Sequence, residues 1–251
     1  MTHIPPGINA CAADETICMK IAIITGASVG IGRATAQAFL DEGFEVFNLA
    51  RRECPIEAVT NLACDLASTQ AIEQSVATLL PTLADCSEVA LVHNASQMRK
   101  DSAGDCASES LEAVLATNVI AINSLNQHLL PAMPASSSVL YVGSTLAEKA
   151  VANSFSYVVS KHAQLGMMRA SCQDLMGSGI HTAMICPGFT DTEMLRTHLG
   201  NDPEVAQAIA GMNSFARFIE PEEIAELIRW AHHNPVINGA VLHANLGQKE
   251  S

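Results

Sequence analysis

The sequence predicts an α/β protein built on a single-domain doubly wound parallel sheet, a Rossmann-like three-layer α/β/α fold. Two observations carry this prediction. Strand-like and helix-like segments alternate without a break in composition, and the first strand runs directly into a glycine-rich turn that opens a helix. A chain of 251 residues that is 49% hydrophobic can fill the core of one large domain. We therefore expect a single domain over residues 19–251, preceded by a mobile tail over residues 1–18.

Seven short β-rich segments should form the sheet, at 20–26, 44–50, 58–65, 88–95, 137–144, 181–188 and 240–245. Helical spacing of apolar residues predicts helices at 31–43, 68–80, 110–130, around Tyr157 and at 221–233. Local signals mark several helix ends: Ser68 is a cap, Gly43 is a C-terminal stop, and Pro221 opens the last helix. Because helices alternate with strands, the strands should run parallel with helices on both faces.

Charge and cysteine content exclude several classes of partner. The formal net charge of −13 disfavours nucleic acid and anionic lipid, because both bind basic surfaces. No apolar run reaches the about 18 residues of a membrane span, and residues 1–18 lack the basic start of a secretory signal. The cysteines show no C-x-x-C spacing, and the adjacent His232 and His233 should point apart on a helix. We expect a cytoplasmic protein with no metal site, no nucleic-acid partner and no membrane partner.

The glycine-rich turn is TGASVGIG, from Thr25 to Gly32. Glycine permits positive φ and lets the backbone approach a pyrophosphate, which the N-terminus of the following helix then stabilises. The alternative is a plain tight turn between a strand and a helix. The strand before it and the helix after it favour a phosphate-binding loop.

Two arginines follow the second strand in the segment NLARRE. A carboxylate at this position would bond an adenosine ribose and repel a 2′-phosphate. Here Arg51 and Arg52 stand instead, and a guanidinium matches phosphate geometry with paired donors. The alternative is a solvated pair at a strand end. The arginines favour NADP(H), with Arg51 as the first contact.

Tyr157 precedes Lys161 by four residues, which places both on one face of a helix. Reduction of a carbonyl leaves an alkoxide that needs a proton, and a phenol of pKa about 10 must shift by ~3 units to exchange it near neutrality. An ammonium ~4 Å away contributes about that much at an effective dielectric of ~20. We therefore expect Tyr157 to be the acid/base and Lys161 to lower its pKa. Chance could also produce this spacing, so the surrounding motifs decide.

Further motifs follow the glycine loop in order: CDL with Asp65, HNAS at 93–96, TNV with Asn118, YVGS ending at Ser144, the Tyr157 and Lys161 pair, and PGFTDT at 187–192. With these motifs the chain resembles the short-chain dehydrogenase/reductase family in its compact form. The resemblance runs from about Lys20 to the last strand.

The resemblance implies a catalytic set of Asn118, Ser144, Tyr157 and Lys161. In it Ser144 bonds the substrate oxygen, Asn118 anchors a water that relays protons to Lys161, and Lys161 also holds the cofactor ribose. It implies NADP(H) bound by Gly26, Ser28, Gly30, Ile31, Gly32, Arg51, Arg52, Asp65, Leu66, Asn94, Ala95, Tyr157, Lys161, Pro187, Gly188, Thr190 and Thr192. It also implies a homodimer or homotetramer formed through the helices that carry Asn118 and Tyr157.

The expected function is that of an NADP(H)-dependent oxidoreductase, which transfers hydride between the nicotinamide and a carbonyl or secondary alcohol of a small molecule. One alternative is a catalytically silent NADP(H)-binding sensor, against which the complete catalytic set weighs. Another is an epimerase or dehydratase that uses the cofactor transiently. Those relatives have a differently spaced glycine loop and a longer substrate domain.

Three features depart from the family pattern. His93 and Ser96 stand where the family has Asn and Gly, and Ser96 could crowd the cofactor. Residues 245–247 replace the usual Asp-Gly-Gly, which leaves the packing of the chain end open. The segment 193–218 should form a substrate lid. Its apolar side chains either line the pocket or form the core face of two short helices: Met194, Leu195, Met212, Phe215 and Phe218.

Overall fold

The computed structural model describes residues 19–200 and 202–249. The predicted tail over residues 1–18 lies outside the described residues. The cysteines within the described part are free thiols. Within that part, no helix is both long enough and apolar enough to cross a membrane.

The strands form one seven-stranded sheet in the order β3-β2-β1-β4-β5-β6-β7, and every pairing is parallel. The predicted fold class is therefore confirmed. The strands are β1 (Met19–Thr25), β2 (Glu45–Ala50), β3 (Val59–Ala63), β4 (Cys86–His93), β5 (Ser138–Val142), β6 (His181–Pro187) and β7 (Ala240–Ala244).

Eight α-helices connect and cover the strands within the described residues. They are α1 (Gly30–Asp41), α2 (Thr69–Leu83), α3 (Ser108–Leu115), α4 (Ala121–Leu129), α5 (Phe155–Asp174), α6 (Glu193–Leu199), α7 (Pro203–Ala210) and α8 (Pro221–His232). The Ser68 side chain caps α2 by accepting from the Ala71 amide at 3.3 Å, as predicted. Gly43 follows α1 with φ of +80°, which only glycine adopts readily.

The long helix predicted over 110–130 is interrupted by one π-helical turn, Ala116–Ile120, between α3 and α4. A π turn shifts the hydrogen bonding by one residue, and its sequence carries no periodicity signal. Asn118 lies at the centre of this turn.

Two apolar clusters sandwich the sheet and account for the three layers. One contains side chains of α2, α4 and α5, and the other contains side chains of α1 and α8. The strand order reverses between β1 and β4, where crossovers leave in opposite directions. In open parallel sheets this reversal opens a crevice at the carboxyl ends of the strands. The loops after β1, β4, β5 and β6 carry most of the motifs and meet there.

Candidate active site

The glycine loop is held in the conformation that its glycines permit. Gly26 and Gly30 have φ of +73° and +55°, in the left-handed region. A Cβ at Gly32 would lie 2.2 Å from the Gly26 carbonyl oxygen, so the loop folds back directly onto its own helix. The Asn94 side chain donates to the Thr25 and Gly26 carbonyl oxygens, each at 3.0 Å, and ties β4 to this loop.

The N-terminus of α1 offers backbone N–H groups rather than a side-chain cap. Val29 precedes the helix and supplies no capping hydrogen bond, and the first turn holds no acidic residue. Uncapped N–H groups and the helix dipole favour a bound anion. Gly30 and Ile31 line a cavity of about 1230 Å³ that runs over the ends of the strands. The loop and the cavity therefore fit the pyrophosphate of a dinucleotide.

A stability prediction follows from the close approach at Gly32. We expect Gly32→Ala to lower the free energy of unfolding by about 3 kcal/mol or more, because backbone atoms face the new methyl group and cannot turn away. The matched control is Gly166→Ala in α5, where a Cβ meets nothing within 4 Å. That change should instead stabilise by about 0.5–1 kcal/mol. Urea unfolding of both variants checks the prediction, and equal stabilities would contradict it.

Sixteen of the seventeen predicted cofactor residues line the cavity; the exception is Gly32, which is buried behind the loop wall. Ser144 also lines it. Asn118 does not, and its side chain is fully buried. The structure thus brings the predicted residues to one place but puts Asn118 behind the cavity wall.

The cavity is basic although the chain is acidic. Its basic lining residues are Arg51, Arg52, Lys100, Lys149, Lys161 and Lys249, whereas its acidic ones are Asp65 and Glu193. The formal net charge of the chain is −13. A cleft of opposite sign to the rest of the protein raises the local concentration of anionic ligands.

The two arginines after β2 differ in their contacts. The Arg52 guanidinium pairs with both carboxylate oxygens of Glu193, the first residue of α6, at 3.2–3.3 Å. Arg51 is exposed and lines the cavity. Asp65 accepts from the Ala67 amide at 3.0 Å and remains on the cavity wall. Arg51 therefore stays the better candidate for a 2′-phosphate.

The Tyr157 side chain is buried and lines the cavity, with its phenol beside the hydroxyls of Ser144 and Ser96. Burial raises the pKa of Tyr157 to about 12, and the two hydroxyls oppose that rise only in part. The expected lowering by Lys161 is thus wrong for the free protein. Lys161 Nζ lies 5.4 Å from the ring centroid, and desolvation of the phenol is the largest cause of the raised pKa.

Lys161 is itself buried, with 1% of its surface exposed. Its Nζ donates to the Val142 carbonyl oxygen at 2.9 Å and to Gln164 Oε1 at 3.1 Å. Desolvation lowers the pKa of Lys161 to about 7, and the nearby Cys186 thiol opposes this only in part. The lysine therefore titrates near neutrality, where small changes in its contacts alter its charge.

Asn118 connects three segments from behind the wall. Its Oδ1 accepts from the Gln97 amide at 2.7 Å, and its Nδ2 donates to the Gln97 carbonyl and to Ser160 Oγ, each at 2.9 Å. Its own carbonyl oxygen accepts from Gln164 Nε2 at 2.7 Å. Asn118 thus fixes the loop after β4 against α5.

The segment after β6 and the chain end also line the cavity. Met194, Leu195 and Met212 line it, and neither α6 nor α7 has a fully buried residue, so these helices carry no core face. Phe215 is 66% exposed. The Lys249 amide donates to the Met212 carbonyl at 2.7 Å, so the unusual chain end closes over this segment.

His93, which stands where the family has Asn, is part of a buried polar chain. Its Nε2 bonds Asn126 Oδ1 at 2.8 Å, and Asn126 Nδ2 donates to the Tyr141 hydroxyl at 3.0 Å. Because Asn126 Oδ1 can only accept, His93 carries its proton on Nε2. Burial lowers the pKa of His93 to about 4, so it is neutral and structural in role.

The prediction that His232 and His233 point apart is wrong. Their ring centroids lie 4.8 Å apart, because His233 is the first residue past α8 and leaves helical geometry. With Glu88 they bring three possible metal ligands together. Glu88 already pairs with Lys20 at 3.0 Å and His233 bonds Glu42 at 2.6 Å, so the group forms a hydrogen-bonded network.

Two polar residues of the site were missed in the sequence. Asn48 Oδ1 accepts from the Ala27 amide of the glycine loop at 2.8 Å, and the signal was an amide inside the otherwise apolar strand FEVFNLA. Gln164 contacts both Lys161 and Asn118. Its signal was its spacing, one helical turn after Lys161 and two after Tyr157.

The doubly wound sheet, its glycine loop and the buried tyrosine and lysine in one cavity define a nucleotide-dependent oxidoreductase of the α/β class. The chain belongs to the short-chain dehydrogenase/reductase family. Residues 26–249 match the family model described as enoyl-(acyl carrier protein) reductase.

Individual proteins agree with this assignment. The rhamnolipid-biosynthesis 3-oxoacyl-[acyl-carrier-protein] reductase of Pseudomonas aeruginosa is 31% identical over 225 residues, which are 83% of this chain and 87% of that protein. A short-chain dehydrogenase family protein from Francisella tularensis superposes with a TM-score of 0.84 at 25% identity, over 92% of this chain and 98% of that one. A variant of actinorhodin polyketide ketoreductase, solved with NADPH, superposes with a TM-score of 0.82 at 25% identity over the same shares.

Proposed function

We propose that the protein is an NADP(H)-dependent oxidoreductase that interconverts a carbonyl and a secondary alcohol on a small molecule. One observation carries the proposal: Tyr157, Ser144 and Lys161 share a single cavity with an open helix N-terminus at the glycine loop. The same cavity therefore holds a dinucleotide site and a proton donor. The actinorhodin ketoreductase, whose fold is similar, was solved with NADPH.

NADPH would supply the hydride. The side chains of the protein would supply the proton, stabilise the developing negative charge and hold the cofactor. The Tyr157 phenol is protonated at neutral pH and donates its proton to the oxygen that receives negative charge. The Ser144 hydroxyl, beside the phenol, bonds the same oxygen and stabilises that charge. The Lys161 ammonium would hold the ribose of the bound cofactor and would stabilise the phenolate that remains.

The cavity lining outside the predicted cofactor residues favours a carbonyl compound that carries an anionic group. Lys100, Lys149 and Lys249 come from three separate segments of the chain, and none is needed for the glycine loop. Met194 and Leu195 add apolar surface to the same cavity. Similar proteins are described as a putative ketoacyl reductase and as 3-oxoacyl-[acyl-carrier-protein] reductases, names that specify a keto group on an acyl chain. We propose an anionic keto compound as the first substrate class to screen.

We also propose a cytoplasmic homo-oligomer. Ile120 and Phe155, beside α4 and at the start of α5, are 59% and 37% exposed. Apolar side chains at this position suit contact with a second copy. The free thiols suit a reducing compartment.

Substitution of Arg51 tests the preference for NADPH over NADH. We expect the protein to bind NADPH more tightly than NADH, and Arg51→Ala to weaken NADPH binding by about 10- to 100-fold, because one charge-assisted contact to the 2′-phosphate is lost. NADH binding should not change. Isothermal titration of both cofactors into the wild type and the variant measures this directly.

The control is Arg169→Ala, which removes an exposed arginine of α5 that is paired with Glu148 and lies outside the cavity lining. It should leave both affinities unchanged. Equal affinity for the two cofactors in the wild type would overturn the role of Arg51. Tight NADPH binding without oxidation of NADPH by any keto compound would favour a silent sensor.

A further inference from the structure

A glutamine amide is wholly buried on the helix face that carries the tyrosine and the lysine. Gln164 lies in α5, three residues after Lys161 and seven after Tyr157, and 1% of its surface is exposed. A buried glutamine is costly unless its amide is hydrogen-bonded. Both ends of this amide are bonded, and both bonds lead to the active site.

The two bonds fix the orientation of the amide. Gln164 Oε1 accepts from Lys161 Nζ at 3.1 Å, and Gln164 Nε2 donates to the Asn118 carbonyl oxygen at 2.7 Å. The reverse orientation would place the NH₂ group against an ammonium and the oxygen against a carbonyl. The donors and acceptors around the Gln164 amide therefore allow only one orientation of it.

This orientation of the amide also fixes how the Lys161 ammonium uses its N–H donors. An ammonium has three N–H donors, and within the described residues two of those on Lys161 go to Gln164 Oε1 and to the Val142 carbonyl. Lys161 also lines the cavity. The third N–H is thus left for the cavity, which Tyr157 also lines.

The other end of the amide reaches the π turn. Asn118 is central in that turn, and its side chain is committed to Gln97 and Ser160. Its carbonyl is therefore held in place on both sides, and Gln164 connects it to Lys161 through one rigid side chain. Single π turns are frequent at functional sites, where they present a backbone group out of the regular helical pattern.

We propose that Gln164 is a positioning residue of the reaction, whose amide joins the Lys161 ammonium to the Asn118 carbonyl and directs the remaining lysine N–H into the cavity. The proposal deepens the proposed function and rests on it for the kinetic consequence alone. An amide does not pass protons on. Gln164 therefore favours the charged form of Lys161 and fixes its position, and protons do not reach Lys161 through this bond.

The electrostatic surroundings leave this task to a neutral group. The titratable groups that face Lys161 are the Tyr157 phenol on its own helix and the Cys186 thiol on β6. Burial raises the pKa of Tyr157 to about 12 and of Cys186 to about 11, so neither carries charge near neutrality. Besides the interaction with Cys186, the oxygen dipoles of Gln164 and Val142 are the contacts that favour the ammonium.

The decisive measurement titrates the lysine in the free protein. The chain has five lysines, so ¹³C-labelled lysine side chains give few NMR signals, and the signal lost in Lys161→Met identifies Lys161. In Gln164→Met we expect the pKa of Lys161 to fall by about one pH unit, because a hydrogen bond to the charged form is lost. In Gln164→Glu it should rise, because a carboxylate replaces the amide oxygen.

Kinetics supply the second measurement. In Gln164→Met we expect kcat/KM to fall about 10-fold or more at neutral pH and the basic limb of its pH profile to move to lower pH. In Gln164→Glu that limb should move the other way. Gln173→Met, the same change at an exposed position of α5, should alter neither quantity.

The outcomes separate the two proposals. A Gln164→Met protein that loses thermal stability but keeps the pKa of Lys161 and the pH profile would show a packing role and overturn the inference. If NMR shows the expected fall in the pKa of Lys161 in Gln164→Met but the wild type turns over no keto compound, the inference stands and the proposed function is rejected.

Discussion

Tyr157→Phe should reduce kcat about 1000-fold while leaving NADPH affinity and folding nearly unchanged. Positioned proton transfer contributes about 10²- to 10⁴-fold, and Tyr157, the proposed donor, lines the cavity. The aromatic ring keeps its packing, because only the hydroxyl is removed. Stopped-flow and steady-state assays with a keto compound and NADPH measure the loss.

The chain contains a matched control for this substitution. Tyr141, the other tyrosine, is fully buried in β5, and its hydroxyl accepts from Asn126 Nδ2. Tyr141→Phe removes the same atom outside the cavity, so it should lower stability by about 1–2 kcal/mol and leave kcat unchanged. A similar kcat loss in both variants would show that the effect of Tyr157→Phe is structural.

The rates of alcohol oxidation and carbonyl reduction should depend differently on pH, because each uses a different protonation state of the Tyr157 phenol. Burial raises the pKa of Tyr157 to about 12, so the phenol is protonated at neutral pH and ready to donate. Alcohol oxidation needs the phenolate, so its rate should increase as the pH rises. Carbonyl reduction uses the protonated form and should show no such increase.

The fold was predictable because its local signals agree with one another. Each predicted strand is present within a few residues, and the helix stop at Gly43 and the cap at Ser68 are used as expected. The π turn around Asn118 was not predictable, because the apolar spacing of 110–130 fits a regular helix equally well.

The site was predictable in its membership but not in its electrostatics. Nearly all the site residues predicted from motif spacing line one cavity. It could not show that the Tyr157 phenol is buried beside a lysine whose own charge is weakened, which reverses the expected pKa change. Gln164 was missed for a related reason: burial of a glutamine depends on tertiary contacts with Asn118, 46 residues away in the chain.

Lys161→Met should make the free protein more stable while it abolishes most of the activity. Burial lowers the pKa of Lys161 from 10.5 to about 7, so at or below pH 7 the fold carries a charge that costs about 5 kcal/mol to bury. Methionine removes this cost. It also leaves the Val142 carbonyl and Gln164 Oε1 without their donor, which offsets about 1–1.5 kcal/mol each. The net gain of about 2 kcal/mol should raise Tm by about 4–8 °C.

The pH dependence of that gain identifies its cause. The native lysine binds fewer protons than the unfolded one between pH 7 and 10.5, so wild-type stability rises with pH across this window. The advantage of Lys161→Met is therefore complete below pH 7 and shrinks as the pH approaches 10.5. The comparison variant is Lys100→Met, which removes an exposed lysine and no buried charge, so it should bring no comparable gain in stability. Scanning calorimetry across this range tests the sign. A gain independent of pH would mean that better packing, rather than removal of a buried charge, stabilises the variant.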